Sequence, residues 1–280
     1  MTSTRERQRA AARARLEREM AERATRARKR RQTQAIVGAA AVLVLVVAGT
    51  VWLATSLGGD DDKKQNAATT AGFSQCVYTE VPAEARSKQV KDVGLPDNQQ
   101  SNKGTQTMTI DTNLGPITAK LDRSKVPCTA GSFAHLASKG FFDNTKCHRL
   151  VTSGIKVLQC GDPSATGKGW RQSDGTGGPS YTLAEENLPT DQRPPYPEGV
   201  IAMANSGQPG STGSQFFIVY GDSPLDPNYT VLGTITGGMD VVKQVAAAGD
   251  DGAFAQQAGG GHPKKEIVIN KLTMSDIQGG

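Results

Sequence analysis

Residues 213–218 read Gly-Ser-Gln-Phe-Phe-Ile, and residues 203–206, a few positions earlier, read Met-Ala-Asn-Ser. These residues overlap two short apolar runs, 200–204 and 215–219, which have the length of buried strands. The glycine- and serine-rich residues between the runs are typical of a loop. This region therefore predicts two strands with a polar connection between them.

Similar patterns continue on both sides of this region. Apolar and polar residues alternate over 107–112 and 117–121 around a turn at 113–115, which predicts a β-hairpin. Helical spacing of apolar residues predicts helices over 127–138 and 239–247. The remaining strand-like runs are 148–159 (two strands around Gly154), 231–235 and 266–272. Many short strands with two helices predict a mainly β fold, a closed antiparallel β-barrel capped by two helices.

Five motifs in this region occur in the order that is characteristic of one protein family. They are Cys-His-Arg-Leu-Val at 147–151, Gln-Cys-Gly-Asp at 159–162, Gly-Thr-Gly-Gly at 175–178, and the two stretches at 203–206 and 213–218. Together they resemble the segments of the cyclophilin-type peptidyl-prolyl cis-trans isomerases. The resemblance covers about 105–275, and it implies a cyclophilin-like isomerase domain over residues 105–276 that needs no cofactor and no metal.

The resemblance also implies roles for individual side chains. Arg149 is expected to donate a hydrogen bond to the prolyl nitrogen as the X–Pro bond twists, because its guanidinium carries several fixed N–H groups. Gln159 and the backbone of Asn205 are expected to hold the peptide carbonyls. The other expected substrate-binding residues, most of them around the proline ring, are Phe217, Val157, Ala204, Gln215, Leu225 and Tyr229. Strand alternation places His148 on the face opposite Arg149.

Some positions depart from the family pattern. Two extra residues between Arg149 and Gln159 place Lys156 where the pocket usually has an aromatic residue, unless Ile155 takes that place. Tyr229 stands where many members have histidine. Because Lys156 would weaken an apolar pocket, the alternative function is a non-catalytic module that binds proline-containing peptides.

The four cysteines lie at positions 76, 128, 147 and 160, and an even number in an exported domain suggests disulfides. Cys147 and Cys160 flank the lengthened hairpin, so a bridge between them is the pairing that we favour. Cys76 would then join Cys128. Two other complete pairings, or buried free thiols, stay open.

The N-terminal part has a different composition. Residues 1–34 contain 12 basic and 4 acidic side chains, whereas the rest of the chain has a net charge of −3. Residues 35–57 carry no charged side chain and are long enough for a transmembrane helix, and the basic cluster before them predicts a cytoplasmic N-terminus. A signal peptide is the competing interpretation.

These features give a domain organisation. We expect a basic cytoplasmic arm (1–34), a single transmembrane helix (35–57), a flexible extracytoplasmic linker (58–104) and the isomerase domain (105–276) at the outer side of the cell membrane. The expected partners are unfolded or exported polypeptides that contain proline, and the slightly acidic body argues against nucleic acid. The arm itself either orients the span or contacts anionic lipid or nucleic acid.

Overall fold

A computed structural model describes residues 71–280 of the chain. The predicted arm, the predicted transmembrane helix and residues 58–70 of the predicted linker lie outside this part. Within 71–280, no helix combines the length and the apolar character that crossing a membrane requires. The described part is mainly β and contains two α-helices, α1 (Pro127–Ser138) and α2 (Met239–Ala248).

Both helices form where the sequence predicted them. Pro127 begins α1 at a position where its missing N–H costs no hydrogen bond, and Phe133 and Leu136 are fully buried on the inner face. Val241, Val242 and Val245 bury one face of α2, and Gly249 follows its last residue as the C-cap.

The described part also contains fifteen strands. They are β1 (Phe73–Gln75), β2 (Tyr78–Glu80), β3 (Val90–Lys91), β4 (Gln99–Ser101), β5 (Thr105–Thr112), β6 (Ile117–Asp122), β7 (Thr145–Lys146), β8 (Arg149–Val151), β9 (Lys156–Cys160), β10 (Gly178–Pro179), β11 (Tyr181–Leu183), β12 (Val200–Met203), β13 (Phe216–Gly221), β14 (Val231–Gly237) and β15 (Val268–Met274).

Nine strands form one antiparallel sheet in the order β7-β15-β5-β6-β14-β12-β13-β9-β8. The prediction of a closed barrel was wrong, because within the described residues the two edge strands do not pair with each other. Loops occupy both edges instead: Lys146 of β7 donates to the carbonyl of Ala165, and Leu150 of β8 exchanges two hydrogen bonds with Gly261. The sheet is therefore strongly curled but open.

Two strands of this sheet, β12 and β13, are buried on both faces, which explains their continuous apolar sequences. On one face, Phe216 and Ile218 of β13 join the main core, where Phe216 packs against Phe133 of α1. On the other face, Phe217 and Val219 belong to a second, smaller apolar cluster. Strand alternation thus directs Phe217 away from the main core.

The described part of the predicted linker, residues 71–104, differs from the expectation of a flexible segment. It forms four short strands: β1 pairs with β4, β2 with β11 and β3 with β10. Arg86 makes ion pairs with Glu80 at 2.7 Å and Asp92 at 2.6 Å. These two- and three-residue strands are too short to show alternation, which is why the sequence did not reveal them.

Two disulfide bonds join the cysteines in the favoured pairing, Cys76 with Cys128 and Cys147 with Cys160. The first ties the N-terminal segment to the first turn of α1. The second lies beside the β8–β9 hairpin, which carries Arg149 and Gln159. The first bond therefore holds a segment that has few buried apolar residues of its own against the main domain.

Candidate active site

A groove with a cavity of about 520 Å³ runs along the β8–β9 hairpin and over the second apolar cluster. It contains eight of the nine predicted site residues: Arg149, Gln159, Phe217, Val157, Ala204, Asn205, Leu225 and Tyr229. Gln215 instead borders a neighbouring cavity of about 400 Å³, which shares Gln159, Ala204 and Asn205 with the groove. The structure therefore brings the predicted residues together at one place, with Gln215 behind them.

Arg149 is held in a fixed orientation at one side of the groove. It lies directly opposite Gln159 in the β8–β9 pair, and its Nη1 donates to Oε1 of Gln159 at 3.0 Å. Its Nε donates to the carbonyl of Gly259 at 3.1 Å, and its Nη2 donates to the carbonyl of Ala258. Burial lowers the pKa of Arg149 from its ordinary value.

A guanidinium has five N–H groups, and these contacts use three of them. Among the described residues, two N–H groups of Arg149 are thus left without an acceptor beside the groove. Because a guanidinium keeps its proton in proteins, the side chain remains a cation at neutral pH. The arrangement presents a fixed cationic donor to whatever enters the groove.

Gln159 continues this polar side toward the neighbouring cavity. Its Nε2 donates to Oε1 of Gln215 at 2.9 Å, and Nε2 of Gln215 donates to the carbonyls of Gly175 and Gly177 at 2.8 and 2.9 Å. The buried carboxylate of Asp162 accepts hydrogen bonds from the same two glycines. A Cβ atom at Gly177 would overlap this carboxylate, so the close approach needs glycine. The Gly-Thr-Gly-Gly motif thereby fixes the glutamine pair.

Aromatic rings form the opposite side of the groove. The rings of Phe217 and Tyr229 meet edge to face with centroids 5.5 Å apart, and Tyr196 contacts both at 6.1 and 6.0 Å. The hydroxyl of Tyr196 donates to the carbonyl of Tyr229 and accepts from its N–H, both at 2.9 Å. Burial raises the pKa of Tyr196 to about 12. The result is a rigid apolar notch of the kind that accommodates a proline ring.

Lys156, which stands where the family pocket usually has an aromatic residue, does not reach the groove. Lys156 begins β9, is exposed, and pairs with Gly221, where its aliphatic carbons cover the glycine. Ile155 borders the groove in its place and packs against the second apolar cluster. An apolar side chain therefore lines this part of the groove.

His148 borders the groove beside Arg149, contrary to the expectation from strand alternation. It lies before the first residue of β8, in the link from β7, so the alternation of the strand does not apply to it. The ring is 2% exposed, and neither ring nitrogen has a hydrogen-bond partner among the described residues. Burial lowers its pKa to about 4, against the opposing effect of Asp162 and Asp174. His148 is therefore neutral at pH 7.

Other residues of the groove were not predicted from the sequence. They come mainly from two loops, and they are Gln172, Asp174, Gly175, Thr176, Phe254, Gln257 and Ala258. The Gly-Thr-Gly-Gly motif was a signal for the first loop. For the second loop, the only signal was the glycine run at 259–261, which sequence reasoning did not connect with Arg149.

Comparison with known proteins identifies the family that the sequence resembles. Residues 107–274 match the family model described as "Cyclophilin type peptidyl-prolyl cis-trans isomerase/CLD". The chain is 45% identical to a probable peptidyl-prolyl cis-trans isomerase B of Mycobacterium leprae over 62% of this chain and 58% of the relative. It is 40% identical to the protein of the same name from Mycobacterium tuberculosis, over 72% of this chain and 64% of the relative.

A crystal structure of a cyclophilin-type isomerase from Cryptosporidium parvum has a similar fold, with a TM-score of 0.51 and 26% identity. The similarity covers 62% of this chain and 99% of that one. By contrast, the chain spans only about three fifths of the length of the mycobacterial relatives. From its family match, its curled sheet with two helices, and its groove, we conclude that the chain belongs to the cyclophilin family.

Proposed function

We propose that this chain is a peptidyl-prolyl cis-trans isomerase that rotates X–Pro bonds of polypeptides bound in the groove. The observation that carries the proposal is the position of Arg149. Its guanidinium is fixed by three hydrogen bonds, keeps two N–H groups for a substrate, and borders the same groove as the notch of Phe217 and Tyr229.

The chemistry needs little more than this arrangement. Amide resonance keeps the X–Pro bond planar and imposes a barrier of about 18–20 kcal/mol. As the bond twists, resonance is lost and the prolyl nitrogen becomes a hydrogen-bond acceptor. A donor that is already oriented toward this nitrogen stabilises the twisted state more than the planar one, which lowers the barrier. No bond to the substrate forms or breaks.

The remaining groove residues fit the task of holding the peptide while it turns. Phe217, Tyr229 and Leu225 supply apolar surface for the proline ring. The side chain of Asn205 is occupied by Asn228 and Gly207, whereas its backbone makes no hydrogen bond within residues 71–280. That backbone is therefore available to pair with the peptide, in the way that an added strand pairs with a sheet edge.

The test is an isomerisation assay on the full-length chain with short proline-containing peptides. The uncatalysed reaction takes roughly 10–100 s at 25 °C, so catalysis is easily distinguished from background. We expect Arg149→Ala to remove most of the acceleration. The matched control is Arg193→Ala, because Arg193 is exposed and does not border the groove. A wild-type chain that binds the peptides without accelerating their isomerisation would favour a non-catalytic binding module.

We further propose that the isomerase acts outside the cytoplasm on unfolded or newly exported chains, anchored to the cell membrane by residues 35–57. Two disulfides in one domain support an oxidising compartment, and the uncharged run of 35–57 after a basic cluster supports an anchor with a cytoplasmic N-terminus. Protease added outside wall-free cells should remove a C-terminal epitope and spare an N-terminal one. Protection of both epitopes would contradict this location.

A further inference from the structure

The loop between α2 and β15 provides two of the three acceptors that hold Arg149. Nε of Arg149 donates to the carbonyl of Gly259 at 3.1 Å, and Nη2 donates to that of Ala258. These acceptors are backbone atoms, so their positions depend on the path of the loop and not on any side chain of 258 or 259. What fixes the loop therefore also fixes the guanidinium.

The glycines of this loop allow it to approach the hairpin closely. Gly261 exchanges two hydrogen bonds with Leu150, the neighbour of Arg149, at 2.8 and 3.0 Å. Gly260 has a φ of +70°, and a Cβ atom there would overlap the backbone of Leu150. The loop is thus laid directly against the strand that carries Arg149.

His262, at the end of this loop, contacts Asp251 at its beginning. Its Nδ1 lies 2.8 Å from Oδ2 of Asp251, and Oδ1 of the same carboxylate accepts from the backbone N–H of His262 at 2.8 Å and of Ala253 at 3.0 Å. Both ends of the segment 251–262 are therefore joined through one carboxylate.

The ring of His262 is also clamped between two aromatic rings. It stacks on Trp170 with a centroid distance of 4.7 Å and an interplanar angle of 10°, and it meets Phe254 edge to face at 4.7 Å. The ammonium of the buried Lys146 lies 4.2 Å from the centre of Trp170. The stack connects the loop to strand β7 at the edge of the sheet, because Lys146 belongs to that strand. Phe254, in turn, borders the groove.

We propose that His262 is a positioning residue for Arg149. Through its contacts with Asp251 and Trp170 it holds the loop 251–262 in place, so that the carbonyls of Ala258 and Gly259 orient the guanidinium toward the groove. This inference rests on the proposed isomerase function. It predicts that loss of the contacts of His262 slows the catalysed rotation through Arg149, because a misplacement of a catalytic group by about 1 Å is sufficient to slow a reaction.

Two variants weaken the contact between His262 and Asp251 in different ways. His262→Phe retains an aromatic ring for the stack on Trp170 but loses the hydrogen bond to Asp251. Asp251→Asn retains the size of the side chain and an acceptor for the backbone N–H groups. The matched control is His135→Phe, because His135 lies on α1, contacts the carbonyls of Val93 and Gly94, and does not border the groove.

The first readout is the NMR resonance of the Arg149 Nε–H, assigned in the full-length chain by its loss in Arg149→Ala. We expect both variants to move it toward the position of a free arginine, and His135→Phe to leave it in place. An unchanged Nε–H in His262→Phe and Asp251→Asn would overturn the inference. The Nε–H resonance tests the role of His262 even when the wild-type chain shows no isomerase activity. Such inactivity would contradict only the proposed function.

The second readout is a double-mutant comparison of isomerisation rates. We expect His262→Phe to slow catalysis about tenfold in the wild-type background and to have no further effect in Arg149→Ala. Equal slowing in both backgrounds would show that His262 acts through general stability and not through Arg149, and it would overturn the inference.

Discussion

The two sides of the groove are built in different ways. The side of Arg149 and Gln159 is polar, lies on a hairpin bordered by the Cys147–Cys160 bond, and owes its geometry to hydrogen bonds with backbone carbonyls and glutamine side chains. The side of Phe217 and Tyr229 is aromatic and owes its geometry to packing in an apolar cluster.

This difference separates binding from chemistry. Apolar surface contributes equally to holding a planar and a twisted proline, so the aromatic side is expected to govern affinity. A directed donor discriminates between the two states, so the polar side is expected to govern the rate of rotation. Variants of each side should therefore produce distinct defects.

The largest effect on stability is expected from the aromatic side. Phe217→Ala removes a buried ring from the second apolar cluster and should lower the free energy of unfolding by about 3–5 kcal/mol. Peptide affinity should fall with it, because the notch loses its main surface. Denaturant titration and peptide titration measure the two effects. Phe73→Ala, at an exposed ring on β1, is the control. A Phe217→Ala chain that is as stable as wild type would contradict the packing described here.

A pH-dependent effect is expected from His148, at the polar side. Its pKa is about 4 in the folded chain and about 6.5 when unfolded, so between these values only the unfolded chain binds the proton. The free energy of unfolding should therefore decrease as the pH falls from 6.5 to 4, by on the order of 3 kcal/mol from this group.

The measurement for His148 is the difference between wild type and His148→Leu in denaturant titrations at several pH values. This difference isolates His148 from the other histidines. We expect the variant to lose less stability than wild type over this pH range. Identical pH profiles of the two proteins would show that His148 is not buried as a neutral ring.

Gln159→Leu should have a smaller effect, confined to catalysis. The substitution preserves approximate size but removes the acceptor of Arg149 Nη1 and the donor to Gln215. A hydrogen bond to a charged group contributes about 1.5–3 kcal/mol. Since two carbonyls still hold the guanidinium, we expect the rate to fall by the lower end of this range, roughly 10- to 20-fold. An isomerisation assay with a peptide titration checks this result. A loss of affinity without a loss of rate would assign Gln159 to binding instead.

The smallest effect is expected from Lys156→Ala. Lys156 is exposed and does not border the groove, so rate and affinity should change by less than about twofold. Ile155→Ala, one position earlier, should weaken peptide binding more, because Ile155 lines the groove. If the Lys156 variant binds peptides much more tightly than wild type, the lysine does reach the notch.

The sequence predicted those parts of the fold in which periodic burial is strong. Both helices and the β5–β6 hairpin were recognised because one face of each is buried, and the motifs located Arg149, Gln159 and Phe217 at one groove. The segment 71–104 was not recognised, because its short strands depend on pairing with distant residues and on the Cys76–Cys128 bond.

The loop 251–262 shows why part of the site was missed. Its contribution to Arg149 consists of carbonyl groups, which every residue has, so no residue type marks it. The open sheet has a similar explanation, since its edges are covered by Ala165 and Gly261, which lie outside any strand pattern. Contacts of this kind become visible only in three dimensions.

The most direct test of the central claim is to measure binding and rotation separately for Arg149→Ala. NMR exchange spectroscopy on a bound proline peptide gives the rate of rotation, and titration of the same peptide gives its dissociation constant. We predict that the rotation rate falls about 100- to 1000-fold, as for the loss of a donor that acts in the transition state, while the dissociation constant changes little. A variant that rotates the bound peptide as fast as wild type would contradict the role of Arg149.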